Sequence, residues 1–109
     1  MLNGSMIVEK ITNSNGTAIK FEDGTMIYYG KISKNVSPRD NDTIFNLPAN
    51  FLNNNYIAIC SRSAPPYFTE YEIAIRKMET NKITIACFGM DNAPSINITL
   101  YVMAIGTWK

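Results

Sequence analysis

Short runs of isoleucine alternating with polar residues recur along the chain, and turn-forming clusters separate them. The spacing of those clusters is roughly the 8–12 residues that marks an all-β sandwich or barrel. Tyr71-Glu72-Ile73-Ala74-Ile75-Arg76 is one such run, and Ile83-Thr84-Ile85-Ala86-Cys87-Phe88 is another. The chain holds fifteen isoleucines. No window sets apolar residues at i, i+3, i+4 and i+7 behind a capping residue, so nothing predicts a helix.

Turn chemistry sharpens the reading. Thr17–Phe21 is a short strand, Glu22-Asp23-Gly24-Thr25 is a turn, and Met26–Ile32 returns. Asp-Gly favours the positive φ of a tight hairpin. Gly30, inside the return strand, predicts a bulge or a close backbone approach. Asn35–Asn41 reads as a loop, Thr43–Pro48 as a strand stopped by proline, and Ala49–Asn55 as an Asn-rich loop. Tyr56–Arg62 is a strand with Ile57 and Ile59 on one face. Ser63–Thr69 is a Pro-stiffened loop carrying Tyr67 and Phe68. Tyr71–Arg76 and Ile83–Phe88 make a second hairpin, and Gly89–Pro94 is a loop.

The final run, Ile96–Ile105, is the longest. Alternation sends Ile98, Leu100, Val102 and Ala104 to one face and Tyr101, Met103 and Ile105 to the other. Both faces are apolar, whereas an antiparallel sheet commonly has one wet face. A second cover is therefore expected. Met6–Thr12 is one candidate, and another copy of the chain is the other.

At 109 residues the chain is one domain's worth, and 46% hydrophobic content makes it globular. Residues 1–13 read as an N-terminal connecting segment, with 1–5 a candidate cloning remnant, and 14–109 as the domain. Met1–Ser5 has neither the basic end nor the apolar stretch of a signal peptide. Charged residues are 17% and the net charge is +1. No basic field exists to attract nucleic acid or an anionic membrane. No stretch approaches the roughly 20 apolar residues of a membrane span, so no insertion is expected.

Catalysis is not expected. With no histidine, the commonest general base and the commonest metal ligand are both missing. Cys60 and Cys87 lie in apolar runs and read as buried free thiols, with a disulfide as the alternative. Glu70 and Glu72 share a strand face, but that face offers no cleft for a glycosidase pair. No metal or other cofactor is expected.

Saccharide binding needs planar apolar faces and fixed hydrogen-bonding groups. Tyr67 and Phe68 offer the rings; Arg62, Asp91 and Asn92 offer the polar groups. Each has a purely structural alternative. The rings can pack at the sandwich end or against a subunit, Asp91 and Asn92 can form an Asx turn, and Arg62 can close a strand-end salt bridge. Trp108 can cap the core, contact a neighbouring copy or stack on a ligand.

Ser14–Gly30 resembles the opening hairpin of the C-terminal domain of many phage tail-fibre proteins. Ile44-Phe45-Asn46-Leu47-Pro48 resembles that family's next strand, with Asn-Leu inserted. Tyr101–Lys109 resembles its closing strand, with Tyr101 or Val102 where Trp is usual. The resemblance spans about Asn15–Lys109. It implies an antiparallel six- to seven-stranded β-sandwich, like that of H-type lectins, assembled as a homotrimer. It further implies a virion location at the tail tip, assembly in the bacterial cytoplasm, and the rest of the fibre and a host cell-surface glycan as partners. Phe88–Asn92 falls where H-type lectins place sugar contacts, which adds Met90 to Asp91 and Asn92. These lectins carry an aromatic and a His there, and this chain carries neither in Gly89, Met90 and Asp91. For the trimer contact, Tyr101, Met103, Ile105 and Trp108 are the expected residues. A structural knob that ends a fibre and binds nothing is the competing expectation.

Overall fold

The computed structural model describes residues 6–38, 41–63, 71–90 and 92–109. Those residues form eight strands: β1 (Ile7–Asn13), β2 (Gly16–Phe21), β3 (Thr25–Val36), β4 (Asn41–Asn46), β5 (Ile57–Arg62), β6 (Tyr71–Met78), β7 (Lys82–Gly89) and β8 (Ile96–Thr107). The first sheet has the order β1-β2-β3-β8-β5 and the second β4-β7-β6. Every pairing is antiparallel. The expected all-β sandwich is present. Seven strands follow the runs read in sequence, and the eighth is β1, which occupies most of the expected connecting segment.

Local chemistry accounts for the turns. Gly24 sits at φ 97°, in the region that disfavours a side chain. Asp23 Oδ1 accepts from the Thr25 amide at 2.9 Å. Those amide and hydroxyl bonds hold the Asp23 carboxyl below its ordinary range. Asn13 and Asn53 close Asx turns, accepting from the Asn15 and Asn55 amides at 2.8 and 2.9 Å. A register shift between Ile75 and Lys77 keeps Met78 on the same side as Ile73 and Ile75.

The core lies between the sheets. Met26, Tyr28 and Leu100 of the first sheet and Phe45, Ile83 and Ile85 of the second are all essentially buried. Each such side chain contributes about 1.5–3 kcal/mol of burial. Tyr28 keeps its polar end satisfied by donating to the Asn15 carbonyl at 2.7 Å. Gly30 makes room for it: an added Cβ would overlap Tyr28 Oη and stand 2.9 Å from the Asn15 oxygen. The pairing of β3 with β8 runs through Gly30 without a register shift. Gly30 therefore marks a close approach and not a bulge.

Neither cysteine is in a disulfide; Cys87 is buried and Cys60 only half-buried. Burial pushes the Cys60 thiol up, so it stays protonated at neutral pH.

The outsides of the two sheets differ. The second carries Asp42, Glu72 and Arg76, with Arg76 Nε 2.8 Å from Asp42 Oδ1. The first carries Ile57, Ile59, Tyr101, Met103 and Ile105, all exposed. β1 lies at the far edge beside β2 and is separated from β8 by two strands. Met6–Thr12 therefore does not cover the second face of β8.

Candidate functional site

The molecule is elongated, 53 × 25 × 21 Å, and its two ends are built differently. At one end lie the start of β1, the turn between β2 and β3, the turn between β6 and β7, and the end of β8. Backbone bonds fasten this end: Leu52 N donates to Thr107 O at 2.8 Å and Phe51 N to Thr80 O at 2.9 Å. Trp108 belongs here. Its Nε1 donates to the Phe21 carbonyl at 2.9 Å, and its ring lies 5.1 Å from both Lys20 Nζ and Lys109 Nζ. It packs against the core cluster of its own chain.

At the opposite end lie the strand ends that the β3–β4, β5–β6 and β7–β8 connections join. Tyr71 organises them. Its buried hydroxyl lies 2.9 Å from Pro94 O and 3.3 Å from Val36 O, so one proton serves the end of β3 and the approach to β8. Gly89 N donates to Pro38 O at 3.3 Å.

Arg62 stands at the end of β5 and donates to the carbonyls of Ser63 at 3.3 Å and Tyr71 at 3.2 Å. That makes it a clamp between β5 and β6, which share no backbone ladder. Met90 and Asn92 are exposed just past the end of β7, on a turn closed by Ala93 N donating to Met90 O at 2.9 Å. Tyr67, Phe68 and Asp91 lie outside the described residues, as does Glu70. Three of the six expected ligand residues, Arg62, Met90 and Asn92, thus come to one end of the sandwich.

The other candidate surface is the outside of the first sheet. The strand registers lay its side chains in rows. Ile27, Ile105 and Ile57 form one row, Tyr29, Met103 and Ile59 the next, and Lys31, Tyr101 and Ser61 a third. Beyond them the rows turn polar. Ser33 Oγ lies 2.8 Å from Thr99 Oγ1, and Asn35 Nδ2 donates to Asn97 Oδ1 at 2.9 Å.

Tyr101, Met103 and Ile105 therefore share this face as their alternation predicted, and Trp108 does not join them. Ile57, Ile59, Ile27 and Tyr29 belong to the face and are not among the expected interface residues. Alternation groups Ile57 with Ile59, but it cannot decide which side of a strand faces the core when both sides are apolar. Small Ala58 and Cys60 face inward instead.

A groove of about 680 Å³ crosses this face where the apolar rows meet the polar ones. Tyr29, Tyr101 and Met103 line it from the sheet. Asn13 and Ser14 line it from the β1–β2 turn, and Ile59 and Ser61 from β5. The Tyr28–Asn15 bond pins that turn in place. Burial pushes the Tyr28 phenol up to about 12, so the donor stays protonated across the physiological range.

No family model matches the chain. A stretch of 58 residues, 53% of the chain, is 38% identical to a structural protein, ORF43, of Trichoplusia ni ascovirus 2c. It covers 6% of that viral protein. Three solved structures share the fold. An N-truncated R1-type pyocin tail fibre superposes with a TM-score of 0.69 at 15% identity, covering 94% of this chain and 87% of that one. C-terminal portions of the R1 and R2 pyocin fibres of P. aeruginosa give 0.65 and 0.64 at 15% and 14% identity. This chain spans 28% and 26% of their lengths. The fold is thus that of R-type pyocin tail-fibre ends, as the resemblance in the opening hairpin and closing strand implied.

Proposed function

We propose that this chain is the receptor-binding end of a phage, prophage or phage-like tail fibre, acting as a homotrimer and recognising a host cell-surface saccharide without catalysis. The observation that carries the reading is the separation of the two ends. The start of β1 lies at one end of a 53 Å molecule, and the strand ends joined by the β3–β4, β5–β6 and β7–β8 loops lie at the other. A shaft joined at the β1 end would present those loops to a host surface. Loops held by a rigid scaffold are where binding residues concentrate. The shared fold with pyocin tail fibres and the partial likeness to a viral structural protein support placing it in a virion tail.

The trimer is supported by the outside of the first sheet. Ile57, Ile105 and their neighbours leave apolar surface that no described segment of the chain covers. Three copies would also multiply a weak single-site affinity by avidity.

Binding of the labelled protein to whole bacterial cells and to a glycan array tests the reading. Cell binding is expected, with loss in the Met90→Ala/Asn92→Ala and Tyr67→Ala/Asp91→Ala double variants. The apolar face also favours a second reading, a trimerisation knob that binds nothing. An assembled protein that retains no cells from any related host would establish that reading and exclude the first.

A further inference from the structure

The groove on the outside of the first sheet has a chemistry that the loop end does not explain. Lys31 is exposed, and its ammonium has no ion-pair or hydrogen-bond partner among the described residues. The same holds for the hydroxyls of Tyr29, two residues away on the same face of β3, and Tyr101, directly across the ladder from Lys31. No carboxylate lines the groove. The outward positions of β2, β3, β5 and β8 carry no Asp or Glu either. A second copy laid on this face would therefore bring no counter-charge from these strands to Lys31, and burying that ammonium unpaired is costly. The volume lies within the 300–1,000 Å³ of ordinary ligand sites. It combines flat aromatic faces, hydroxyl and amide groups on Asn13, Ser14 and Ser61, and one cation.

We infer that this groove binds a segment of an anionic saccharide, with sugar rings on Tyr29 and Tyr101 and a carboxylate or phosphate at Lys31. This is a second site, at the side of the domain and apart from the loops. It goes beyond the proposed function, which needs only the loop end. The purely aliphatic row of Ile27, Ile105 and Ile57 lies next to it, so contact between copies along that row leaves the groove at the rim.

Titration of the intact protein by calorimetry, with chemical-shift mapping, tests the site. Oligogalacturonate supplies carboxylates, phosphomannan supplies phosphates, and neutral mannan is the control. At least one anionic probe is expected to bind and to shift Tyr29, Lys31 and Tyr101 resonances, and mannan is expected to bind at least ten-fold more weakly. Lys31→Ala is expected to weaken binding about ten-fold, the size of one charge-assisted hydrogen bond. Tyr101→Ala is expected to weaken it as well, and Asn92→Ala to leave it unchanged.

Four results would overturn the inference: no binding of either anionic probe at millimolar concentration, equal binding of mannan, shifts confined to the Met90–Pro94 end, or groove resonances that respond only to protein concentration. The last result would assign the groove to contact between copies. Whole-cell binding separates the two proposals. Cells held through the loops while Lys31→Ala has no effect on either probe would remove this site alone.

Discussion

Ile57 and Ile105 are register partners across the β5–β8 ladder, and they leave 69% and 46% of their surfaces in solvent. Ile27 faces Ile105 from the other side, and Tyr29, Met103 and Ile59 form the next row. An exposed apolar patch of this kind marks an interaction site, and contact between copies is proposed along its aliphatic row of Ile27, Ile105 and Ile57.

The Ile57→Asp and Ile105→Asp variants should each weaken self-association by roughly 100-fold or more, since each places a carboxylate in an apolar contact. Both positions are solvent-exposed in the single chain, so folding stability should change by less than about 1 kcal/mol. Sedimentation velocity and urea denaturation on the same samples read the two effects apart.

The Tyr71→Phe variant should lose about 1–2 kcal/mol, because one buried hydroxyl serves the carbonyls of Pro94 and Val36. The loss should be concentrated at the loop end. Hydrogen exchange is expected to quicken at the Gly89 and Ala93 amides, with the β2–β3 turn unaffected.

Tyr28 sets an alkaline limit. Its phenol is about 12 in the fold against an ordinary value of 10. A raised value means the protonated form is favoured by folding, so this stabilisation is complete below pH 10 and drains away as pH rises to 12. The Tyr28→Phe variant should lose about 1 kcal/mol at neutral pH with the bond to Asn15. Its stability should also fall less steeply between pH 10 and 12. Tyr56, pushed up to about 12 by its own burial and by Glu79, preserves part of the slope. Denaturant midpoints at pH 8, 10 and 11 measure both effects.

The Gly30→Ala variant should cost about 1–3 kcal/mol, because a Cβ there meets Tyr28 Oη and the Asn15 oxygen. It should also free the β1–β2 turn, seen as faster exchange of the Gly16 and Thr17 amides.

Much of the architecture was legible in the sequence because alternation and turn residues act locally. Asp23-Gly24 announces its hairpin, and the alternating pattern of Ile96–Ile105 announces a long strand apolar on both faces. Two things were not legible. Ile7–Asn13 lacks a clean alternation, being exposed along nearly its whole length, and only its ladder with β2 makes it a strand. The outward turn of Ile57 and Ile59 depends on which face of β8 the second sheet covers, a choice made by packing across the whole sandwich. The site divides in the same way. Arg62, Met90 and Asn92 come to one end of the sandwich because β5 and β7 end there, which the order of strands and loops in the chain suggests. Lys31 and Tyr29 reach the groove only through the long pairing of β3 with β8, so no local signal marks them.

The mass of the intact chain in solution, followed by light scattering from micromolar to higher concentration, tests whether copies cover the outside of the first sheet. A particle of three times 12.2 kDa, reduced to one copy by Ile57→Asp, is the predicted result. A single 12.2 kDa chain at every concentration, with Ile57 and Ile105 open to solvent throughout, would contradict it.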